Sequence, residues 1–437
     1  MSLRKYAIGL MSLGMLVAIA GPVRADDEEL TAQVEELVAE LDADTISERD
    51  IAEQNLLRLV DVEGVGPQKF LAVLPKPNDN MPPAVRERLA SIRKMVEQRL
   101  ASQAIEASKV TLEAVNWPLE EVIKKLEELT GNKIIDNREA EAAAASPQII
   151  LKVENEPFWA VMDQVMDQAR LSQYAYAGED ALSLMSRSEG EGQRFGRACY
   201  EGPFRFEVTE VSATRGMRNP SNQSLRLDLE IGWEPRLRPI ALTQQMSRLD
   251  AITPDGEQLA PAQEQRVFNI EVQEGTCAST INVPFELPER SVEEIMLLGG
   301  TITALVPGKR EEFRFDDLKS KEPIVKTLGG VKVTLERVVK NGEIWEVHMN
   351  LELENDNGAL ASHRGWVFNN ITYLVGDDGE PIDHAGFETT KQTATEVGIA
   401  YLFDLPEGID GLSWVYESPV SIVEREYKYQ LEGIKLP

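Results

Sequence analysis

Histidine and cysteine are nearly missing from this chain: three histidines and two cysteines in 437 residues. His348, His363 and His384 show no ligand-like spacing, so no metal site stands out, and no cofactor is expected. There is no Gly-x-Ser-x-Gly, and neither cysteine has a histidine close by in sequence, so the parts for nucleophilic catalysis are lacking. Positive charge is short as well. Against 74 Asp and Glu stand 45 Lys and Arg, a formal net charge of −29. Such a surface repels phosphate backbones and anionic lipid, which argues against a nucleic-acid partner. The same excess makes any pair of carboxylates uninformative, so a glycosidase-type acid pair cannot be chosen from sequence.

Long apolar runs are also absent after the first 25 residues, and nothing later could span a bilayer. Those first residues read as a secretory signal: Arg4 and Lys5, an apolar run over 7–20, then Val23-Arg24-Ala25 with cleavage after Ala25. Removing 1–25 takes away Arg4, Lys5 and Arg24 and no acid, moving −29 to −32. An exported protein, periplasmic or extracellular, is the expectation. In that setting Cys199 and Cys277 form a possible disulfide; two buried free thiols are the alternative.

At this length the chain exceeds one ordinary core. Residues 26–108 are helical in pattern: Leu30, Val34, Leu37, Val38 and Leu41, then Ile51, Ala52, Leu56 and Leu59, then Phe70, Leu71 and Leu74. Pro82-Pro83 opens a last helix with Val85, Leu89, Ile92, Val96 and Leu100 inward. "DADTISERDIAEQNLLRL" and "PPAVRERLASIRKMVEQRL" resemble the helical hairpins of HEAT-like repeats. Gly64-Val65-Gly66-Pro67 resembles the hairpin of helix-hairpin-helix DNA-binding motifs, but with export and a strongly acidic chain it is read as a Gly-rich turn joining two helices.

Residues 109–188 write one pattern twice, 39 residues apart: "VNWPLEEVIKKLEELTGNKIID" (115–136) and "VENEPFWAVMDQVMDQARLSQY" (153–174). Each joins a strand to an amphipathic helix through Asn-x-Pro. In the first copy Leu119, Val122, Ile123, Leu126 and Leu129 form one apolar face, Glu120–Lys124 and Glu121–Lys125 pair opposite it, and Gly131 stops the helix. The second copy sets Phe158, Val161, Met162 and Val165 on the matching face. The order predicted is β-α-β-β-α-β-β. These segments resemble the short N-terminal domain of secretins and TonB-dependent receptors, whose hallmark is a strand ending in Asn-x-Pro-Leu before a helix. The resemblance implies a periplasmic protein-interaction module without catalytic residues. No barrel strands or secretin core follow it, which counts against a transport or secretion role.

From 189 onward the texture is all-β and duplicated. "LRLDLEIGWEP" (225–235) answers "EVHMNLELEND" (346–356), "TPDGEQL" (253–259) answers "GDDGEPI" (376–382), "FELPE" (285–289) answers "FDLPE" (403–407), and "EFRFDDL" (312–318) answers "EYKYQLEGI" (426–434). The order is kept and only the offset drifts. Each copy suits an immunoglobulin-like sandwich, giving 189–319 and 320–437 as β-sandwich domains. The acidic turns at 353–358 and 376–383 miss the EF-hand pattern; Asn357-Gly358 and Asp378-Gly379 are better read as tight turns, with an adventitious calcium site as the alternative. Trp233, Trp366 and Trp414 read as core residues at alternating strand positions, or as the lining of a sugar site.

The fold class expected is therefore multidomain: a HEAT-like helical domain (26–108), a small secretin-type α+β domain (109–188) and two immunoglobulin-like sandwiches. The combination resembles exported cell-envelope proteins of planctomycete-type bacteria. The function expected is non-enzymatic protein–protein scaffolding in the envelope, with a protein partner. Carbohydrate or surface-polymer binding by the sandwiches is the alternative, and a hydrolase using sandwich-loop acids the second one.

Overall fold

Helix punctuation organises the start of the chain. The computed structural model describes residues 27–437 except 63, 79, 140–145, 175–177, 179, 220, 274, 354–359, 361–364 and 377. The expected leader and its cleavage point after Ala25 lie outside the described residues. The chain divides into two units at Glu97/Gln98. In the first, α1 (Asp27–Glu40), α2 (Ile46–Leu59), α3 (Gly66–Val73) and the greater part of α4 (Pro83–Ala104) enclose Val34, Leu56, Phe70, Leu89 and Ile92. Thr45 starts α2 with a reciprocal cap: its Oγ1 accepts from the Glu48 amide at 3.2 Å while its own amide donates to Glu48 Oε2 at 3.3 Å. Arg88 of α4 pairs with Asp50 at 2.8 Å and Glu53 at 2.5 Å on α2. Gly64–Pro67 is the turn into α3, and Pro67 is buried in its first turn. The early region is helical, as its periodicity predicts. No described helix is long and apolar enough to cross a membrane.

The second unit begins with the duplicated pattern. Its elements are β1 (Lys109–Pro118), α5 (Leu119–Thr130), β2 (Ile134–Asp136), β3 (Gln148–Pro157), α6 (Phe158–Ala169), β4 (Leu171–Tyr174) and β5 (Leu182–Ser186). This is the expected β-α-β-β-α-β-β order. β1 and β3 pair antiparallel as a two-stranded ribbon, while β2, β5 and β4 form a second sheet with β5 in the middle. The repeated asparagines now have a physical reason. Asn116 and Asn155 sit at φ 56° and 55°, the left-handed region that asparagine tolerates better than other residues with a Cβ. Each occupies an irregularity in the β1–β3 register, one between Ala114 and Trp117, the other opposite Val110–Leu112. The bulge turns the strand, and the proline that follows leads into the helix. Gly131 closes α5 at φ 71°, whereas Arg170 takes the left-handed position after α6. Leu129, expected on the inner face of α5, is 43% exposed, since the core contact ends with Leu126.

Among the described residues seventeen strands follow in two halves. The first half holds β6 (Cys199–Glu201), β7 (Phe204–Arg215), β8 (Gln223–Trp233), β9 (Ala241–Gln245), β10 (Asp250–Ile252), β11 (Gln258–Leu259), β12 (Val267–Ile270), β13 (Ala278–Phe285) and β14 (Glu294–Phe315). The second holds β15 (Ile324–Leu328), β16 (Val331–Asn341), β17 (Ile344–Leu353), β18 (Thr372–Val375), β19 (Pro381–Asp383), β20 (Gly386–Gln392), β21 (Glu396–Asp404) and β22 (Ser413–Lys435). One open sheet runs β13-β8-β7-β6 and another β15-β16-β17-β21-β20. The third, eight-stranded, is built on β14 and β22, which pair antiparallel from Glu294↔Lys435 to Phe315↔Trp414. The duplicated segments take matching places: β8 and β17 are central strands, and "TPDGEQL" and "GDDGEPI" are both hairpins on the large sheet.

The long strands cross from one half to the other. Phe313 and Phe315, at the end of the first copy, are buried in the core of the second half. Their counterparts Tyr427 and Tyr429 are buried in the core of the first, where Tyr427 meets Phe204 at 4.7 Å and Tyr429 stacks on Phe206 at 4.4 Å between ring centroids. Each copy therefore sends the end of its last strand into the other copy's core. The crossing point is kinked. Ser421 lies at φ 54°, opposite Pro307-Gly308, and a Cβ on Gly308 would fall 2.2 Å from the Cβ of Ala101. Only glycine permits that approach.

Candidate functional site

A cavity of about 700 Å³ opens where three parts of the second unit converge. Residues 238–242, leading into β9, and 269–273 with Thr276, following from β12, line one part of it, as does Asp180 from the segment before β5. The opposite wall is a short 3-10 helix, Gly365–Asn369, with Arg310 and Pro419 from the crossing strands. Trp366 lies half-buried on that helix and packs against the second core. Arg238 pairs with Asp180 at 2.8 Å. Arg310 Nη2 donates to Asn370 Oδ1 at 3.2 Å, and Asn370 Nδ2 donates to the Tyr416 hydroxyl at 2.8 Å. Two guanidinium groups and two carboxylates, Asp180 and Glu271, face one space, so the lining is balanced although the chain is strongly acidic.

Two buried polar clusters tie the α+β segment to the first β half. Glu234, fully buried after β8, accepts from Ser108 N at 2.8 Å, Ser108 Oγ at 2.5 Å, Asn132 Nδ2 at 3.0 Å and Arg236 Nε at 2.7 Å. Arg236 also donates to the carbonyls of Ala104 and Glu106. The second cluster joins α6 to β7. Arg205 is 1% exposed, with Nε 3.0 Å from Asp163 Oδ2, Nη2 2.7 Å from Glu207 and Nη1 3.6 Å from Glu230. Tyr200 donates to Asp163 Oδ2 at 2.6 Å. Burial pushes the Asp163 carboxyl above its ordinary range despite Arg205 beside it, and burial together with Asp163 raises the Tyr200 hydroxyl. Burial opposes the charge of Arg205, but Asp163 and Glu207 outweigh it. A buried charge set among these carboxylates ties elements together, and its cost appears when one partner is removed.

The expected Cys199–Cys277 disulfide is not formed; both thiols are free. Cys199 on β6 is opposite Phe206, which is opposite Ile231, which is opposite Ser279, two residues past Cys277. Three strand spacings put them roughly 14 Å apart, about twice the greatest Cα separation a disulfide bridges. Cys277 is buried, donates weakly to the Ala181 carbonyl at 3.8 Å, and its thiol is pushed up to about 12 by burial.

Of the three tryptophans with two readings, Trp233 and Trp414 are core residues, 1% and 0% exposed. Trp233 also borders the cavity, and Trp414 Nε1 donates to Thr372 Oγ1 at 2.7 Å. Trp366 lies on the 3-10 helix, not on a strand. Of the histidines, His348 bonds Glu346 at 2.9 Å and Arg337 at 3.2 Å, His384 faces Tyr401, and His363 lies outside the described residues, as does the Asn357-Gly358 turn. No group of His, Cys, Asp and Glu among the described residues is arranged to hold a metal ion. Sequence reasoning missed Arg238 and Gln273 in connections, Asn269 on the short strand β12 and Arg310 near the strand crossing, none of which carries a motif. No family model, curated protein or solved structure matches the chain.

Proposed function

We propose that this is an exported cell-envelope protein that binds another protein without catalysing a reaction. In this reading the helical segment is HEAT-like, the α+β segment is a secretin-type short domain, and the β halves are immunoglobulin-like. The observation that carries it is the β1–β3 ribbon. Among the described residues no third strand pairs with either edge. Val115 and Ile150 stand 65% and 59% exposed on it, beside the opposed charges of Glu113 and Lys152. Open edges with apolar and charged residues alternating suit an extended segment of a partner protein, which adds a strand and fills the spaces between side chains. The ribbon is carried on a module that Glu234 and Arg205 lock to the β body, so a partner would meet a preorganised edge.

Crosslinking in intact cells of the native host tests this. The expected result is a discrete heterologous adduct that is lost when Val115 and Ile150 are both changed to Lys. Recovery of the monomer alone, or an adduct unchanged by the double substitution, would sink the reading.

A further inference from the structure

We propose that the cavity beside Trp366 is a binding site for a neutral oligosaccharide. Its volume, about 700 Å³, falls in the roughly 300–1,000 Å³ range of small-molecule sites. Trp366 lines the cavity and is half-buried against the second core, and an indole is the side chain best suited to pack against the C–H face of a sugar ring. Around it are exposed carboxamides, Asn269, Gln273 and Asn369. Each offers both donor and acceptor, which matches vicinal hydroxyls, themselves donors and acceptors.

The charged residues argue for a ligand without net charge. Arg238 is engaged by Asp180 at 2.8 Å, and Arg310 by Asn370 at 3.2 Å. Gln273 Nε2 leans toward Glu271 Oε1 at 3.3 Å. An anionic sugar would have to break the Arg238–Asp180 pair, and a cationic ligand would have to take Asp180 from Arg238 and lie beside two guanidinium groups. A polyhydroxy ligand disturbs neither. The site is independent of the β1–β3 ribbon, so it stands or falls apart from the protein-binding proposal.

The test is calorimetric titration of the full chain with cellohexaose, maltohexaose, mannohexaose and chitohexaose, with hexagalacturonate as the acidic comparator. Saturable binding of at least one neutral hexasaccharide is expected. Trp366→Ala should weaken it by about tenfold or more. Paired Asn269→Ala and Gln273→Ala changes, on exposed residues that do not hold the fold, should weaken it without altering the unfolding transition. The proposal is overturned if no neutral probe binds at millimolar concentration, if hexagalacturonate is preferred, or if binding persists unchanged in all of these variants.

Discussion

Helices α5 and α6 are two copies of one pattern, and they are buried differently. α5 buries a single face, Leu119, Val122, Ile123 and Leu126, and turns Glu120 and Lys124 outward, with Glu127 half-buried and accepting from the Ile134 amide at 2.8 Å. At the corresponding places, 39 residues on, α6 carries Trp159, Asp163 and Met166, all buried. The extra face lies against the β7–β8 side of the first β half: Trp159 Nε1 donates to the Pro203 carbonyl at 3.2 Å, and Asp163 meets Arg205. A duplicated unit has thus kept its inner core and rebuilt one outer face into a joint. Burial of a second face, more than helix type, separates the two copies.

The largest way to break the comparison is at that joint. Asp163→Ala leaves the guanidinium of Arg205 buried with less compensation, and a loss of about 3–5 kcal/mol is expected. Lys124→Ala, its counterpart on α5, should stay within about 0.5 kcal/mol. All six tryptophans lie beyond residue 97, so urea unfolding followed by tryptophan fluorescence reads the second unit alone. Equal losses in the two variants would refute the two-faced account of α6. Replacing Asp163 and Arg205 together by Leu and Met should recover much of the loss, because no charge is then stranded.

That joint also marks how far the sequence could be read. The helix periodicity, the Asn-x-Pro joints and the internal duplication were visible because each is local or repeats itself. The "FRFE" stretch (204–207) alternates along β7. Phe204 and Phe206 point to one core while Arg205 and Glu207 are covered by α6. Alternation says which residues share a face and cannot say whether water reaches it. The one available signal was Asp163 amid the apolar residues of α6. The exchange of β14 and β22 was hidden for another reason. "EFRF" and "EYKY" are alike in pattern, so a strand closing its own half and a strand closing the other half leave the same trace. The cavity depends on that crossing, through Arg310 and Pro419, and only Trp366 and Trp233 among its lining stood out beforehand.

A second, smaller effect separates two acids one turn apart on α6. Asp167 accepts from the amides of Arg194 and Phe195 and pairs with Arg187 at 2.6 Å. Burial acts to raise it, but these partners prevail and hold it below its ordinary 3.8. Its contribution is complete above that value and is lost as pH falls through the folded one. For Asp163 the folded value is raised, so its contribution is greatest at low pH and declines as pH rises through that value. Asp167→Asn should therefore cost about 2 kcal/mol at neutral pH and progressively less toward pH of about 3. The penalty of Asp163→Asn should run the other way. Urea midpoints for both variants across that range check the signs, and parallel pH profiles would contradict the assignment.

The smallest effect sharpens what the two copies still share. Asn116 and Asn155 hold the same left-handed conformation, φ 56° and 55°, at opposite ends of one ribbon. Asn155 adds a bond from its amide to Thr111 Oγ1 at 2.9 Å, a bond made by the backbone that substitution leaves in place. Alanine at either position keeps the Cβ clash of that region and loses the side-chain tolerance of asparagine, at about 1 kcal/mol. The two losses should agree within experimental error, and glycine at either position should restore stability. If Asn155→Ala costs several times Asn116→Ala, the strand-to-helix joints have diverged along with the helices, and the repeat survives as topology alone. If the costs match, divergence is confined to the outer face of α6, where the β body was docked.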